Sequence, residues 1–200
     1  MKFNRVLEFF MQLKLWLTTG IKRKEWVAVH LRHHAHADVE GDPHSPVLLG
    51  LWPVQLWNIF LYREAARDPE TMKYAKNLVL TFAERTIFRH TLIGPLVGMV
   101  VLWLVFGFWP MLIIVGTHAF LYLFFLNNLI NGWCHFRGYK NFPVVAFNSH
   151  WIAWITMGEG FHNNHHHKPG SPSLRYKWNE IDPGWIFIKL MCFCRLAKLS

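Results

Sequence analysis

The sequence predicts an all-α integral membrane protein: a transmembrane helical hairpin with a cytoplasmic helical cap carrying histidine boxes. Two observations predict it. Lys, Arg, Asp and Glu are absent from His90 to Phe136, in a chain of 200 residues that is 52% hydrophobic and 16% charged. The chain also holds 13 His, and six of them fall in two copies of the pattern HxxHH, one before the apolar stretch and one after it. This composition excludes a disordered chain and a low-complexity repeat, and three Cys do not make a disulfide scaffold.

In chain order, residues 3–20 mix apolar and basic side chains at helical spacing and end at Gly20, which predicts an interfacial helix or the end of a spanning one. No small-residue cleavage pattern marks this segment as a signal peptide. Residues 23–40 read as a helix stopped by Asp42-Pro43, and residues 60–90 as a charged helical connection. Leu92 to Ile130 is about twice the 20 apolar residues that one spanning helix needs, and Gly107-Phe-Trp-Pro110 interrupts it. A Gly and a Pro so close end one helix and start the next, so the hairpin is placed at about 92–130, with helices at 92–107 and 110–130. Residues 145–167 read as partly helical, Pro169-Gly-Ser-Pro172 as a turn, and 184–197 as a short apolar helix with basic residues near its end.

The formal net charge of +9 fits this arrangement better than it fits nucleic-acid binding. A nucleic-acid binder gathers its cations on one face. Here Arg85 and Arg89 precede the apolar stretch, Arg137 and Lys140 follow it, and the turn between the helices has none. By the positive-inside rule both flanks are cytoplasmic. Arg23, Lys24, Arg175, Lys177, Arg195 and Lys198 suit a surface lying on an anionic leaflet of membrane lipid.

The histidines carry the chemistry. His30-Leu-Arg-His33-His34 and His162-Asn-Asn-His165-His166 place three imidazoles each at i, i+3 and i+4, on one face of a helix. One HxxHH is expected by chance roughly 0.05 times in such a chain, so two are not an accident of composition. Three imidazoles on one face can approach one or two metal ions, and imidazole suits Fe, Zn, Cu and Ni. A hairpin that begins and ends on one side brings both clusters to the same membrane face, where they converge. Asn131 and His135 are i and i+4 at the end of the apolar stretch, so His135 is a seventh candidate ligand and Asn131 binds directly or through a water. Metal-bound His donates its other N–H to a carboxylate or carbonyl, which makes Asp38, Asp42 and Glu159 candidate partners. There is no HExxH, and the Cys lack zinc-finger spacing.

These motifs resemble those of the membrane fatty acyl desaturases, of the acyl-CoA desaturase type and bacterial-like. His30 to His34 continues through Asp42-Pro-His-Ser-Pro46, and the second cluster stands in Gly158-Glu-Gly-Phe-His-Asn-Asn-His-His166. Asn131-x-x-x-His135 and the stretch Trp178 to Trp185 also match, so the resemblance covers most of residues 20–190. It implies a di-iron (Fe2+) centre with His30, His33, His34, His135, His162, His165 and His166 as ligands and Asn131 acting through a water. It implies no catalytic residue beyond the ligands. The implied reaction is oxygen-dependent introduction of a double bond into a saturated acyl chain.

The implied substrate is a fatty acyl chain carried by CoA, a carrier protein or a lipid. The segment after Pro46, Val-Leu-Leu-Gly-Leu-Trp52, is not the basic aromatic run of many acyl-CoA enzymes and leaves the carrier open. Two electrons per turnover must come from outside, because no GxGxxG is present. A ferredoxin or a cytochrome b5-like donor is implied, with the bacterial inner membrane as location and both termini cytoplasmic. The family also carries an HxxxxH box and a pair of spanning segments upstream. Residues 1–29 contain no His, so residues 1–200 read as a single desaturase domain lacking that box and those helices. The rival readings are a membrane di-iron hydroxylase and an inactive metal-binding fragment.

Overall fold

The Asn4 side chain accepts from the Val6 N–H at 2.7 Å and opens the first helix, α1 (Arg5–Thr19); Gly20, in the left-handed region at φ +66°, closes it. The computed structural model describes residues 1–199, and these are mostly helical. Their one strand pair joins the two ends, with β1 (Lys2–Phe3) antiparallel to β2 (Ala197–Lys198).

Helix α2 (Arg23–His36) carries the first histidine cluster. It is pinned by ion pairs at both ends. Arg23 meets Glu84 through Nε and Nη2 at 2.6 and 2.9 Å. Arg32 pairs with Asp68 and donates to the Gly41 carbonyl at 2.9 Å. Those partners sit at the starts of short helices. Asp68 caps α5 (Pro69–Lys73), which follows α3 (Pro46–Leu49) and α4 (Leu51–Arg67). Thr81 and Glu84 form a capping box on α6 (Phe82–Thr86). The connection expected at 60–90 is therefore three broken pieces, because a capped start at Pro69 and another at Phe82 each begin a new helix.

Helix α7 (Ile93–Phe106) has 14 residues, and α8 (Phe108–Phe136) has 29 and is long and apolar enough to cross a membrane. Gly107, at φ +86°, separates them as the sequence predicts. The second helix starts two residues earlier and ends six later than expected, because Pro110 is accommodated in its first turn and Gly132 is carried inside the helix. It passes through π-helical turns at Leu121–Leu126 and Leu129–Trp133. Helix α1 lies against α7, where the backbones touch: a Cβ on Gly94 would sit 2.2 Å from the Trp16 carbonyl oxygen, and one on Gly98 2.7 Å from that of Leu17. Only glycine allows that approach. Trp16 closes the contact by donating its indole N–H to the His90 carbonyl at 2.9 Å.

The chain ends in α9 (His150–Ile155), α10 (His162–His167) and α11 (Pro183–Phe193). The last of these is capped by Asp182, whose carboxylate accepts from the Trp185 N–H at 2.8 Å.

Candidate metal centre

Seven imidazoles meet where α2, the end of α8 and α10 come together. They divide into two groups able to hold a metal ion: His33, His135, His162 and His166, and His30, His34 and His165. In the first group neighbouring Nε2 atoms form a closed ring, with His33–His135 at 3.1 Å, His135–His162 at 3.0 Å, His162–His166 at 3.2 Å and His166–His33 at 3.3 Å. In the second, His34 Nε2 lies 3.2 Å from that of His30 and 2.9 Å from that of His165. The two boxes divide in opposite senses. The outer pair His30 and His34 goes to the three-histidine group and His33 to the other. In the second box the outer pair His162 and His166 goes to the four-histidine group and His165 to the other.

The donor chemistry fits a metal. His33 Nδ1 lies 3.0 Å from an Asp42 oxygen, and His135 Nδ1 2.8 Å from an Asp38 oxygen. A carboxylate only accepts, so each neutral ring carries its proton on Nδ1 and turns a bare Nε2 inward. Two lone pairs 3.1 Å apart repel, and a cation between them removes the repulsion. The spacing agrees as well: nitrogens about 2.1 Å from one metal lie about 3.0 Å apart at right angles and about 3.4 Å apart in a tetrahedron. Five of the rings are also held in the neutral form that a metal needs. Burial, reinforced by neighbouring imidazoles, lowers His30 and His34 to about 3 and His165 to about 4. The same causes hold His162 and His166 well below the ordinary value.

The carboxylates are themselves fixed. Asp42 also accepts from the backbone N–H groups of Asp38 and His44, at 2.8 and 3.0 Å. Burial raises its pKa, but His33 and these donors outweigh it and bring the value down to about 2. Asp38 adopts φ +60°, a left-handed conformation that Asp tolerates better than most residues. One of its oxygens accepts from Ser45 Oγ at 2.7 Å, and the other faces His135. Glu159 makes no hydrogen bond to a histidine ring among the described residues. It lines the adjoining cavity, where burial, with Asp182 adding, pushes its carboxyl up to about 7. Asn131 lines the same cavity.

Several positioning residues are invisible to the motif reading. Asn163 and Asn164 separate the histidines of the second box, and both are buried. Asn163 Nδ2 donates to the Phe142 and Ala146 carbonyls at 3.0 and 2.8 Å, and its Oδ1 accepts from the N–H groups of Asn141 and Phe142. Asn164 donates to Glu180 Oε2 at 2.9 Å and accepts from Asn148 Nδ2 at 3.0 Å. A six-residue helix has little stability of its own, so these bonds hold α10 in place. His44 is the other omission. It is 6% exposed, stacks on His33 with ring centroids 4.5 Å apart, and has no partner on either nitrogen. The sequence signal for it was only its place in Asp42-Pro-His-Ser-Pro46.

A cavity of about 670 Å³ opens beside the histidines, with His30, His33, His44, His162 and His165 on one wall and Leu123, Ile130, Trp185 and Ile188 among its apolar lining. A second cavity, of about 1200 Å³, adjoins it at Phe3, Met11, Ile21, Tyr122 and Phe187. It reaches the basic residues Lys22, Lys24, Arg85 and Arg89.

Comparison with known proteins gives a consistent result. The family model for fatty acid desaturases matches residues 1–180. An acyl-CoA C20 Delta5-desaturase of Anemone leveillei is 31% identical over 178 residues, which cover 86% of this chain and 55% of that protein. An sn-2 palmitoyl-lipid 9-desaturase of Nostoc is 33% identical over 177 residues, 86% of this chain and 61% of the relative. An sn-1 stearoyl-lipid 9-desaturase of Anabaena variabilis is 28% identical over 194 residues, 96% and 70%. The chain thus spans between half and two thirds of the length of the first two of these relatives.

Proposed function

The chain belongs to the fatty acid desaturase family, and from that premise we propose that it carries the metal centre of an enzyme that desaturates a saturated fatty acyl chain with O2. The observation that carries this reading is the convergence of seven inward-facing imidazole nitrogens beside an apolar cavity. In it, His30, His33, His34, His135, His162, His165 and His166 hold two irons, and Asn131 acts through a water. Asp38 and Asp42 orient His135 and His33, and Glu159 is a further polar group of the cavity wall. Bound iron supplies the O2-dependent oxidation of an unactivated C–H bond. The chain's own residues keep bulk water away, hold His30, His34, His162, His165 and His166 neutral and offer the acyl chain an apolar path. The two adjoining cavities are that path, with the basic residues at the outer one facing a phosphate-bearing carrier. Relatives named for acyl-CoA and for lipid substrates leave both carriers in play.

The hairpin belongs to the same proposal. Gly20 touches Thr91 just before α7, while His33 meets His135 near the end of α8. Gly20 and His33 are separated by little more than the first three turns of α2, about 15 Å of helix. A straight rod from Ile93 to His135 would run about 64 Å, so the chain doubles back at Gly107. With Arg85 and Arg89 before it and Arg137 and Lys140 after it, both flanks and the histidines lie on the cytoplasmic face of the inner membrane, where a ferredoxin or a cytochrome b5-like donor reaches them. The pairing of β1 with β2 agrees with termini on one side. Residues 1–200 form one desaturase domain on this reading.

The test is incubation of the iron-loaded protein with labelled stearoyl substrate, O2 and a reduced donor, with products resolved by mass spectrometry. A product lighter by two hydrogens is expected. An alcohol would replace the desaturase by a hydroxylase, and a protein that binds no iron would sink both.

A further inference from the structure

Resting on the reading of the histidines as a metal centre, we propose that Asn128, Gln55 and Asn58 form a polar clamp that holds α8 in its π-helical path and so turns His135 towards the other histidines. They are positioning residues: among the described residues their side chains make no hydrogen bond to a histidine ring and act through α8.

Three observations carry it. A π-helical turn holds one residue more than the α-helical turn it replaces, and one residue corresponds to about 100° of rotation about the helix axis. The stretches Leu121–Leu126 and Leu129–Trp133 therefore set the direction faced by whatever follows, and His135 follows the second by two residues. A regular helix over Leu121–Leu126 would swing His135 by about 100°. That would take it away from His33 and His162, whose Nε2 atoms lie 3.1 and 3.0 Å from its own.

Second, side chains hold the π-helical path. Asn128 is fully buried in this apolar helix. Its Nδ2 donates to the Leu123 carbonyl at 2.8 Å and to the Gln55 carbonyl, and its Oδ1 accepts from Asn58 Nδ2 at 3.3 Å. Gln55 Nε2 donates to the Phe124 carbonyl at 3.2 Å. Two carbonyls of the first π-helical stretch are thus taken by side chains, one of them from α4. A side chain that enters the backbone ladder diverts it from the regular path. Third, α4 is tied to the first histidine box. Asp68, which ends α4, pairs with Arg32, the residue before His33. Helix α4 also lies close on the second π-helical stretch, where a Cβ on Gly132 would sit 3.1 Å from Gln55 Oε1. It is a bar between α2 and α8 that registers His135 against His33.

Thiol labelling and cobalt(II) binding of the purified full chain in detergent test this without reference to activity. Cys134 is fully buried and packs with Leu129 and Ile152, so a turned α8 brings it out. With Cys192 and Cys194 replaced by Ser it is the one thiol left, and it should resist a maleimide in the parent. Asn128→Asp keeps the shape and loses both donations. Gln55→Met keeps the length and loses one, and it keeps the experiment decisive if the Asp variant unfolds by circular dichroism. Each should speed the labelling of Cys134, the first by about ten-fold. Each should also weaken cobalt binding when His135 is present and leave it unchanged in a His135→Ala background, where the ligand they position is gone. A merely structural loosening would weaken it in both. Labelling as slow as the parent's in both variants, or an equal loss of affinity with and without His135, overturns the inference while the metal-centre reading stands. A parent that binds no cobalt overturns both.

Discussion

Glu180 lies outside both histidine boxes, yet its replacement should disable the second one. Its carboxylate is fully buried and takes five donors. Tyr139 Oη and Asn141 Nδ2 reach Oε1 at 2.8 and 2.6 Å, and the N–H groups of Tyr176 and Lys177 and Asn164 Nδ2 reach Oε2 at 2.6, 2.9 and 2.9 Å. In Glu180→Gln the remaining oxygen can keep the last three, while the new amide faces Tyr139, whose hydroxyl can turn and accept, and Asn141 Nδ2, which cannot. One stranded donor and the loss of charge assistance on the rest amount to about 3 kcal/mol. Glu180→Ala strands all five donors and should cost about 5 kcal/mol or more. Guanidinium unfolding of the detergent-solubilised protein, followed by far-ultraviolet circular dichroism with bound metal measured in parallel, reads both effects. The pH dependence gives an independent check. Burial raises the Glu180 pKa, but the donors outweigh it and the group ends below its ordinary 4.5. Its contribution is therefore complete above that value and lost as pH falls through the folded one, and the Gln variant should lack this loss. An Ala variant within about 1 kcal/mol of the parent that keeps its metal would refute the argument that Glu180 and Asn164 hold α10.

Other outcomes follow from the same geometry. Gly94→Val drives a side chain into the Trp16 carbonyl and should lower the thermal midpoint by about 3–10 °C, whereas Gly116→Val, with nothing within 4 Å of its Cβ, should leave it within the scatter of repeat melts. In the metal-free protein, His30, His34 and His165 stay neutral down to about 3, 3 and 4 but protonate near 6.5 once unfolded. Stability should therefore fall as pH drops from 6.5 towards 4, by at most about 4 kcal/mol per pH unit if all three titrate. Denaturation midpoints at pH 7 and pH 5 that coincide would contradict the burial of neutral rings. Chelating the metal from loaded protein should lower its thermal midpoint, since a ligand that binds only the folded state stabilises it by mass action; an unchanged melt would mean that the metal binds elsewhere.

Much of this molecule is legible in its residues. The charge-free stretch announces the apolar helices α7 and α8, Gly107 their break, and the repeated HxxHH the meeting of the histidines. Of the three carboxylates expected behind the histidines, Asp42 and Asp38 do stand behind His33 and His135, whereas Glu159 meets no ring among the described residues. What is not legible depends on contacts between distant residues. Helical spacing puts His30, His33 and His34 on one side of α2, but which group each joins depends on what meets it there, His135 and His166 for His33 and His165 for His34. Asn163 and Asn164 look like spacers because their partners, Phe142, Ala146, Asn148 and Glu180, are 15 to 21 residues away. The extension of α8 to Phe136 rests on π-helical turns, for which a hydropathy pattern has no signature.

The opposite division of the two boxes has a consequence for how such a molecule can change over time. His33 and His34 are bonded neighbours and face different groups, and so are His165 and His166. The gap between the two groups is thus bridged twice by a single peptide unit, each on its own helix, which acts as a fixed ruler. Cavity-lining side chains on α8 and α11, such as Leu123, Ile130, Trp185 and Ile188, can change without altering those two rulers. On the proposed reading, the pocket can then be remodelled for a longer, shorter or differently carried chain without changing the spacing between the two histidine groups.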